Sequence, residues 1–277
     1  MGPTPPVDMQ SPQLAYQVFY AVFAVQLIAA VGWLIWYSTR HHTRLPMVGF
    51  AGSLVVGYFV PPLFNHLLMT WFPSNIPGSY ITAFGMSDPL FDFIGYALYF
   101  GLGGYLTYTL LRSGKGSRAI AMTAVTFGVA DLLYELPFLA AHMYTYYGAQ
   151  PLAIQTFPLH WLAMNATVPV LTGFIFYWAD KLPRTVRGRE LAFFVTPSIA
   201  SALLMIPITP VATIMRAEVP AAARLAVSVL AIAISVATVA SIARWANTIA
   251  VQESGATSTS TSTSTSTSTS RTPLPQR

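Results

Sequence analysis

Seven apolar stretches carrying few charges alternate with short polar connections along the chain: 14–38, 46–71, 88–111, 119–146, 155–179, 190–213 and 221–247. A helix rises ~1.5 Å per residue, so about 20 such residues cross a ~30 Å hydrocarbon core. The pattern predicts an all-α polytopic membrane protein of seven transmembrane helices. It divides the chain into a short external segment 1–13, a membrane domain 14–250 and a Thr/Ser-rich tail 251–277. The tail has nothing to bury and is expected to stay disordered in the cytoplasm.

Composition sharpens this picture. Of 277 residues, 54% are hydrophobic and only 8% charged, where a soluble domain carries about 25% charged residues. Arg40 and Arg44, then Arg112, Lys115 and Arg118, then Lys181, Arg184, Arg187 and Arg189 follow the first, third and fifth stretches. Arg244, Arg271 and Arg277 lie at the end, leaving only Arg216 and Arg224 on the opposite side. Basic loops stay in the cytoplasm, so the N-terminus is expected outside and the C-terminus inside the cell membrane, as seven crossings also require. Because the basic residues are spread over short loops, the net charge of +5 does not indicate nucleic-acid binding. Met1–Ser11 lacks a basic leader, so the first apolar stretch is expected to be retained rather than cleaved. The absence of cysteine excludes disulfides, thiolate metal sites and cysteine nucleophiles. The only lysines, Lys115 and Lys181, fall in loops, which excludes a retinal Schiff base.

Candidate chemistry centres on the fourth stretch. Asp131, Glu135 and His142 project from nearly one helix face. An ionisable side chain at mid-bilayer costs about 2.5–3.5 kcal/mol on insertion scales, so this face should turn towards a polar cavity. Other intramembrane polar residues are Gln17 and Gln26, Asn65 and His66 after Pro61-Pro62, Asp92, His160 and Asn165. All fall in the outer half of the first five stretches, which predicts an outward-opening or lipid-accessible cavity with the last two helices as scaffold. Tyr16, Phe91, Tyr96, Tyr99, Phe100, Tyr134, Phe138 and Phe157 are candidate lining aromatics. Loop Phe72–Met86 reads equally as a lid or as a plain connection. Plainer roles stand beside these: structural hydrogen bonding for Asp131 and Glu135, solvation for His142, capping or interfacial solvation for His160. Asp88 reads as the N-cap of the third helix before Pro89. No His-x-x-x-His or Glu-x-x-His pair exists, so no metal site is expected.

Four segments together resemble a known family. They are Tyr16-Gln17-Val18-Phe19; Pro62-Leu63-Phe64-Asn65; Asp88-Pro89-Leu90 ahead of Gly95-Tyr96-Ala97-Leu98-Tyr99; and Asp131-Leu132-Leu133-Tyr134-Glu135-Leu136 with Tyr144-Thr145-Tyr146-Tyr147-Gly148 and Phe157-Pro158-Leu159 beyond it. Their order and spacing over about residues 14–180 resemble the AveC-like spirocyclase family, integral membrane proteins associated with actinobacterial polyketide biosynthesis. The chain departs from that pattern at two positions. Pro61 stands where the family carries an acid before the proline, and His160-Trp161 where a tyrosine and glutamate are expected.

The resemblance implies a cofactor-free cyclase or dehydratase acting on an amphipathic, polyketide-like small molecule in the membrane. In such chemistry a hydroxyketone closes to a hemiketal, loses water through an oxocarbenium ion and is trapped by a second hydroxyl. Two close carboxyls split their proton affinities, which suits one to act as acid and the other as base. The expected roles are Glu135 as acid, Asp131 as base or cation stabiliser, and His142, Asp92 or His160 as supporting catalytic groups. Gln17, Asn65, His66, Tyr96, Tyr99, Tyr134 and Asn165 are the expected substrate contacts. A membrane terpene cyclase, a proton-coupled small-molecule transporter or binding protein, and a structural partner remain the competing readings.

Overall fold

The structure, a computed structural model, describes residues 3–183 and 185–263, with side chains described as far as 249. Arg184 and residues 264–277, most of the Thr/Ser-rich tail, lie outside the described residues. Six helices are each long and apolar enough to cross a membrane. They are α1 (Gln13–Arg40), α2 (Leu45–Leu68), α5 (Ser117–Ala140), α6 (Leu159–Lys181), α7 (Val186–Arg216) and α8 (Ala221–Thr263). The remaining predicted stretch forms three segments that run on without a break: α3 (Leu90–Ala97), a π-helical stretch (Leu98–Gly103) and α4 (Gly104–Arg112).

Helix α6 is the central post, touching α4, α5, α7 and α8, while α2 lies along α7. Helices α1, α5 and α8 bury the smallest share of their surface, which places them at the periphery. Close approach depends on glycine: a Cβ on Gly52 would stand 1.9 Å from the Phe194 carbonyl oxygen of α7. Gly101 and Gly104 let the third rod meet Ser53 and Thr172 in the same way.

Three apolar stretches end sooner than hydropathy predicts, and their ends form strands instead. Helix α2 stops at Met69, whose backbone is left-handed, and the chain continues as β1 (Thr70–Trp71). Helix α5 ends at Ala140 rather than 146. A left-handed His142 turns the chain into β4 (Thr145–Tyr146), which pairs with β1. Helix α6 begins only after β6 (Phe157–Pro158), which pairs with β5 (Ala153–Ile154). Aromatic and β-branched residues at a helix end score as apolar, yet they suit a short ladder equally well. Between β1 and α3, β2 (Ser79–Ala83) and β3 (Met86–Pro89) form a hairpin.

These strands cap one end of the bundle. Tyr16 donates a hydrogen bond to the Met143 carbonyl at 2.5 Å, and Tyr20 donates to the carbonyls of Pro77 and Gly78. Tyr80 donates at 3.3 Å to the Gly57 carbonyl. That carbonyl lacks its helical partner because residue 61 is proline. Arg216, at the end of α7, closes α2 by donating to the carbonyls of His66 and Leu67. Trp71 and Trp161 are buried within this cap.

Candidate active site

Beneath the cap lies a cavity of about 560 Å³, lined by α1, α2, the third rod, α5, α6, β1, β4 and Phe72. Polar side chains gather at its capped side, and its far side carries Ala29, Ala30, Trp33, Leu102 and Leu106. No lysine, arginine or histidine lines it, whereas Asp92, Asp131 and Glu135 all do.

Asp131 and Glu135 stand one turn apart on α5 with different partners. Asn165 of α6 donates its amide to both oxygens of Asp131, at 3.2 and 3.1 Å. Tyr99 adds a longer bond at 3.4 Å and also donates to the Phe127 carbonyl. Glu135 instead meets two phenols from β4 and its approach. Tyr144 donates to Oε2, and Tyr146 lies 3.2 and 3.3 Å from the two oxygens. An amide N–H only donates, whereas a phenol donates or accepts. The Asp131 surroundings therefore favour a carboxylate, and those of Glu135 suit a carboxylic acid equally well. Burial pushes both phenols well above the ordinary tyrosine range, so they stay protonated.

A second carboxyl pair shares one amide. Asn65 donates Nδ2 to Asp88 Oδ1 at 2.7 Å and to Asp92 Oδ2 at 2.6 Å. Asp88 does not cap α3: it belongs to β3, Pro89 occupies the cap position, and no side chain caps that helix. Its carboxyl lies fully inside, where burial pushes its pKa up from 3.8 to about 6 against the opposing bond from Asn65.

The π-helical stretch shapes the wall opposite α5. Leu98, Tyr99, Phe100 and Leu102 all line the cavity, a broader arc than one α-helical face presents. A π turn widens the helix, and such bulges recur at functional sites. Gln26 of α1 donates to the Tyr134 hydroxyl of α5, and Phe23 stacks near Phe91 and Tyr134.

The structure thus brings together Asp92, Asp131, Glu135, Asn65, Tyr96, Tyr99, Tyr134 and Asn165. Four expected residues stand elsewhere. Gln17 is exposed on the outer face of α1, because its neighbour Tyr16 takes the inward position. His66 stacks on Phe84 of the cap at 4.6 Å. His142 is exposed at the left-handed turn after α5, which ends before it could share the Asp131 face. His160 is fully buried beside Trp161, outside the lining, and neither ring nitrogen has a partner. Of the aromatics, Tyr16 and Phe157 pack behind the wall rather than on it. Hydropathy overlooked Tyr144, Tyr146, Thr70 and Phe72, which enter the lining only because β1 pairs with β4. The glycines at 101, 103 and 104 were the one sequence signal for the unusual third rod. Among the described residues, no group of three or more histidine or carboxylate side chains is placed to hold a metal ion.

No family model matches the chain, and neither a curated protein nor a solved structure matches it.

Proposed function

We propose that the cavity is the reaction chamber of a cofactor-free membrane cyclase or dehydratase that forms a cyclic ketal from a hydroxylated ketone. The proposal extends to membership of an AveC-like spirocyclase lineage, and to seven crossings with the strand-capped end outside and the arginine-bearing end in the cytoplasm. One observation carries it: two carboxyls, one turn apart on α5, face a largely apolar chamber with unlike hydrogen-bond partners. Two adjacent carboxylates in such a place do not both ionise, because each charge disfavours the other.

The chemistry balances as follows. One substrate hydroxyl adds to the ketone carbon to give a hemiketal. Glu135 protonates the hemiketal hydroxyl, which leaves as water, and the oxocarbenium ion forms beside the Asp131 carboxylate and the aromatic faces of Tyr99 and Tyr134. A second hydroxyl attacks that carbon and gives its proton to Asp131. Return of that proton to Glu135 restores the pair, and the net change is loss of one water. Exclusion of bulk water by the cap favours the ring-closed product.

A transporter would need a passage to the opposite end. There Tyr105, Tyr108, Phe176 and Phe193 pack as a separate buried core, which favours a chamber over a channel.

The test is reconstitution in lipid vesicles with a long-chain dihydroxyketone and mass analysis of the product. Wild type should yield a product one water lighter. Asp131→Asn and Glu135→Gln should each lose it, and unchanged product from both would sink the reading.

A further inference from the structure

The chamber is sealed at its capped side and is not enclosed at its far side. Thr70, Phe72, Phe91, Tyr144, Tyr146 and Trp161 are all buried. At the far side the lining reaches the surface: Ala29 is exposed, and Trp33, Leu106, Phe127 and Ala130 are half-buried. These residues lie on α1, α4 and α5. The seam between α1 and α5 is closed only in part. Phe19 meets Phe138 edge-on at 4.2 Å, Phe23 meets Tyr134 and Phe138, and Gln26 bonds Tyr134. Among the described residues, hydrogen bonds and ring contacts joining the two helices end there. Beyond Gln26, α1 packs on α2 and α3 instead, with Leu34 against Phe50 and Ala97.

The surface around this slot is apolar. Val25 and Ile28 on α1, and Val125, Val129 and Leu133 on α5, are all exposed. Ala29 lies about 16 Å along α1 from Arg40, which sets the slot within the hydrocarbon depth rather than at a water interface. Two buried donors at the opposite side of the chamber are unpartnered: the Trp161 indole N–H, 2% exposed, and the Thr70 hydroxyl, 4% exposed. Buried donors normally have an acceptor, so both point to a ligand oxygen.

We infer that a lipid-dissolved amphiphile reaches the chamber sideways through the slot between α1 and α5, its oxygen-bearing end docked below Trp161 and Thr70 and its hydrocarbon end left between Ala29 and Ala130. The Gln26–Tyr134 bond marks the upper limit of the slot. The inference rests on the chamber proposed above, but on its occupancy rather than on turnover.

The probe is a long-chain aliphatic hydroxyketone bearing a diazirine at its hydrocarbon end, photolysed with the full chain in phosphatidylcholine vesicles. Adducts should concentrate on the peptides holding Ala29–Trp33 and Phe127–Ala130. Ala29→Trp and, separately, Ala130→Phe should cut them at least about fivefold, while Val25→Trp on the lipid face of α1 should not. Trp161→Phe with Thr70→Val should weaken labelling about 2- to 10-fold, as loss of neutral hydrogen bonds does. Adducts on Thr70–Phe72 or Tyr144–Tyr146, or adducts spread evenly over α7 and α8, would overturn the inference. So would labelling indifferent to both slot substitutions in folded protein. Asp131→Asn should keep the adduct pattern while losing product, so failure of the chemistry and failure of the access route are told apart.

Discussion

The two ends of this bundle are built from the same residue types and arranged to opposite purposes. At the arginine-bearing end, Tyr105, Tyr108, Phe176 and Phe193 pack ring against ring, with a half-buried polar cluster beside them. There Asp180 accepts from Tyr108 at 2.9 Å and pairs with Arg189 at 3.4 Å. At the strand-capped end, Phe23, Phe91, Tyr96, Tyr99 and Phe138 stand around an open space, and three carboxyl-bearing residues face it with no cation among the lining. Aromatic residues fill a core when glycines let helices close on them. They wall a chamber when a π turn and a strand cap hold the helices apart. Charge follows the same division: Asp180 has arginine beside it, whereas the chamber carboxyls meet only amides and phenols, the arrangement that the proposed proton transfer needs.

The largest expected difference between the ends is chemical. Asp131→Asn or Glu135→Gln should lower the proposed ketal formation about 10²- to 10⁴-fold, the usual share of a general acid or base. Melting temperature should change little, because amides keep much of the hydrogen bonding. The mirror experiment is Phe193→Ala. It empties a fully buried ring position and should cost about 3–5 kcal/mol of stability with the reaction rate per folded molecule unchanged. If Phe193→Ala altered the product and left the melting temperature alone, the division of labour would be wrong.

Smaller effects sharpen the contrast. Gly52→Ala should cost about 1–3 kcal/mol, because its new methyl must push α2 away from the Phe194 carbonyl. Thermal unfolding in detergent measures it, and a neutral result would mean the two helices separate freely. The smallest effect is a pH slope. With the Asp88 pKa raised in the fold from 3.8 to about 6, the folded state binds its proton more tightly than the unfolded chain. Its favourable contribution is complete below pH 3.8 and is lost as pH rises through about 6. Asp88→Asn should flatten the dependence of melting temperature over that window, and an unchanged slope would assign it to another group.

Much of the candidate site was legible in the sequence. The four-residue spacing of Asp131 and Glu135 placed them on one face, and their cost in a bilayer required that face to look inward. Asn65, Asp92 and Asn165 followed from the same reasoning. Gln17 and His66 failed because depth along a helix does not fix direction around it, and neighbours Tyr16 and Asn65 held the inward positions. His142 failed because its helix ended two residues earlier. Asp88 failed as a cap because β3 pairing with β2 held its backbone extended.

Hydropathy alone determined the class of protein and the axis of nearly every helix, because in a membrane each apolar segment must satisfy its own backbone hydrogen bonds within itself. The acids of α5 also stood out in the sequence, since burying them facing lipid is too costly. What only the tertiary structure decided was the chamber: which face of α1 turned inward, that Thr70–Trp71 found Thr145–Tyr146, and that the third rod widened into a π turn. Those outcomes depend on contacts between segments far apart in the chain, and no local pattern of apolar and polar residues encodes which partner a short strand or a half-buried phenol will meet.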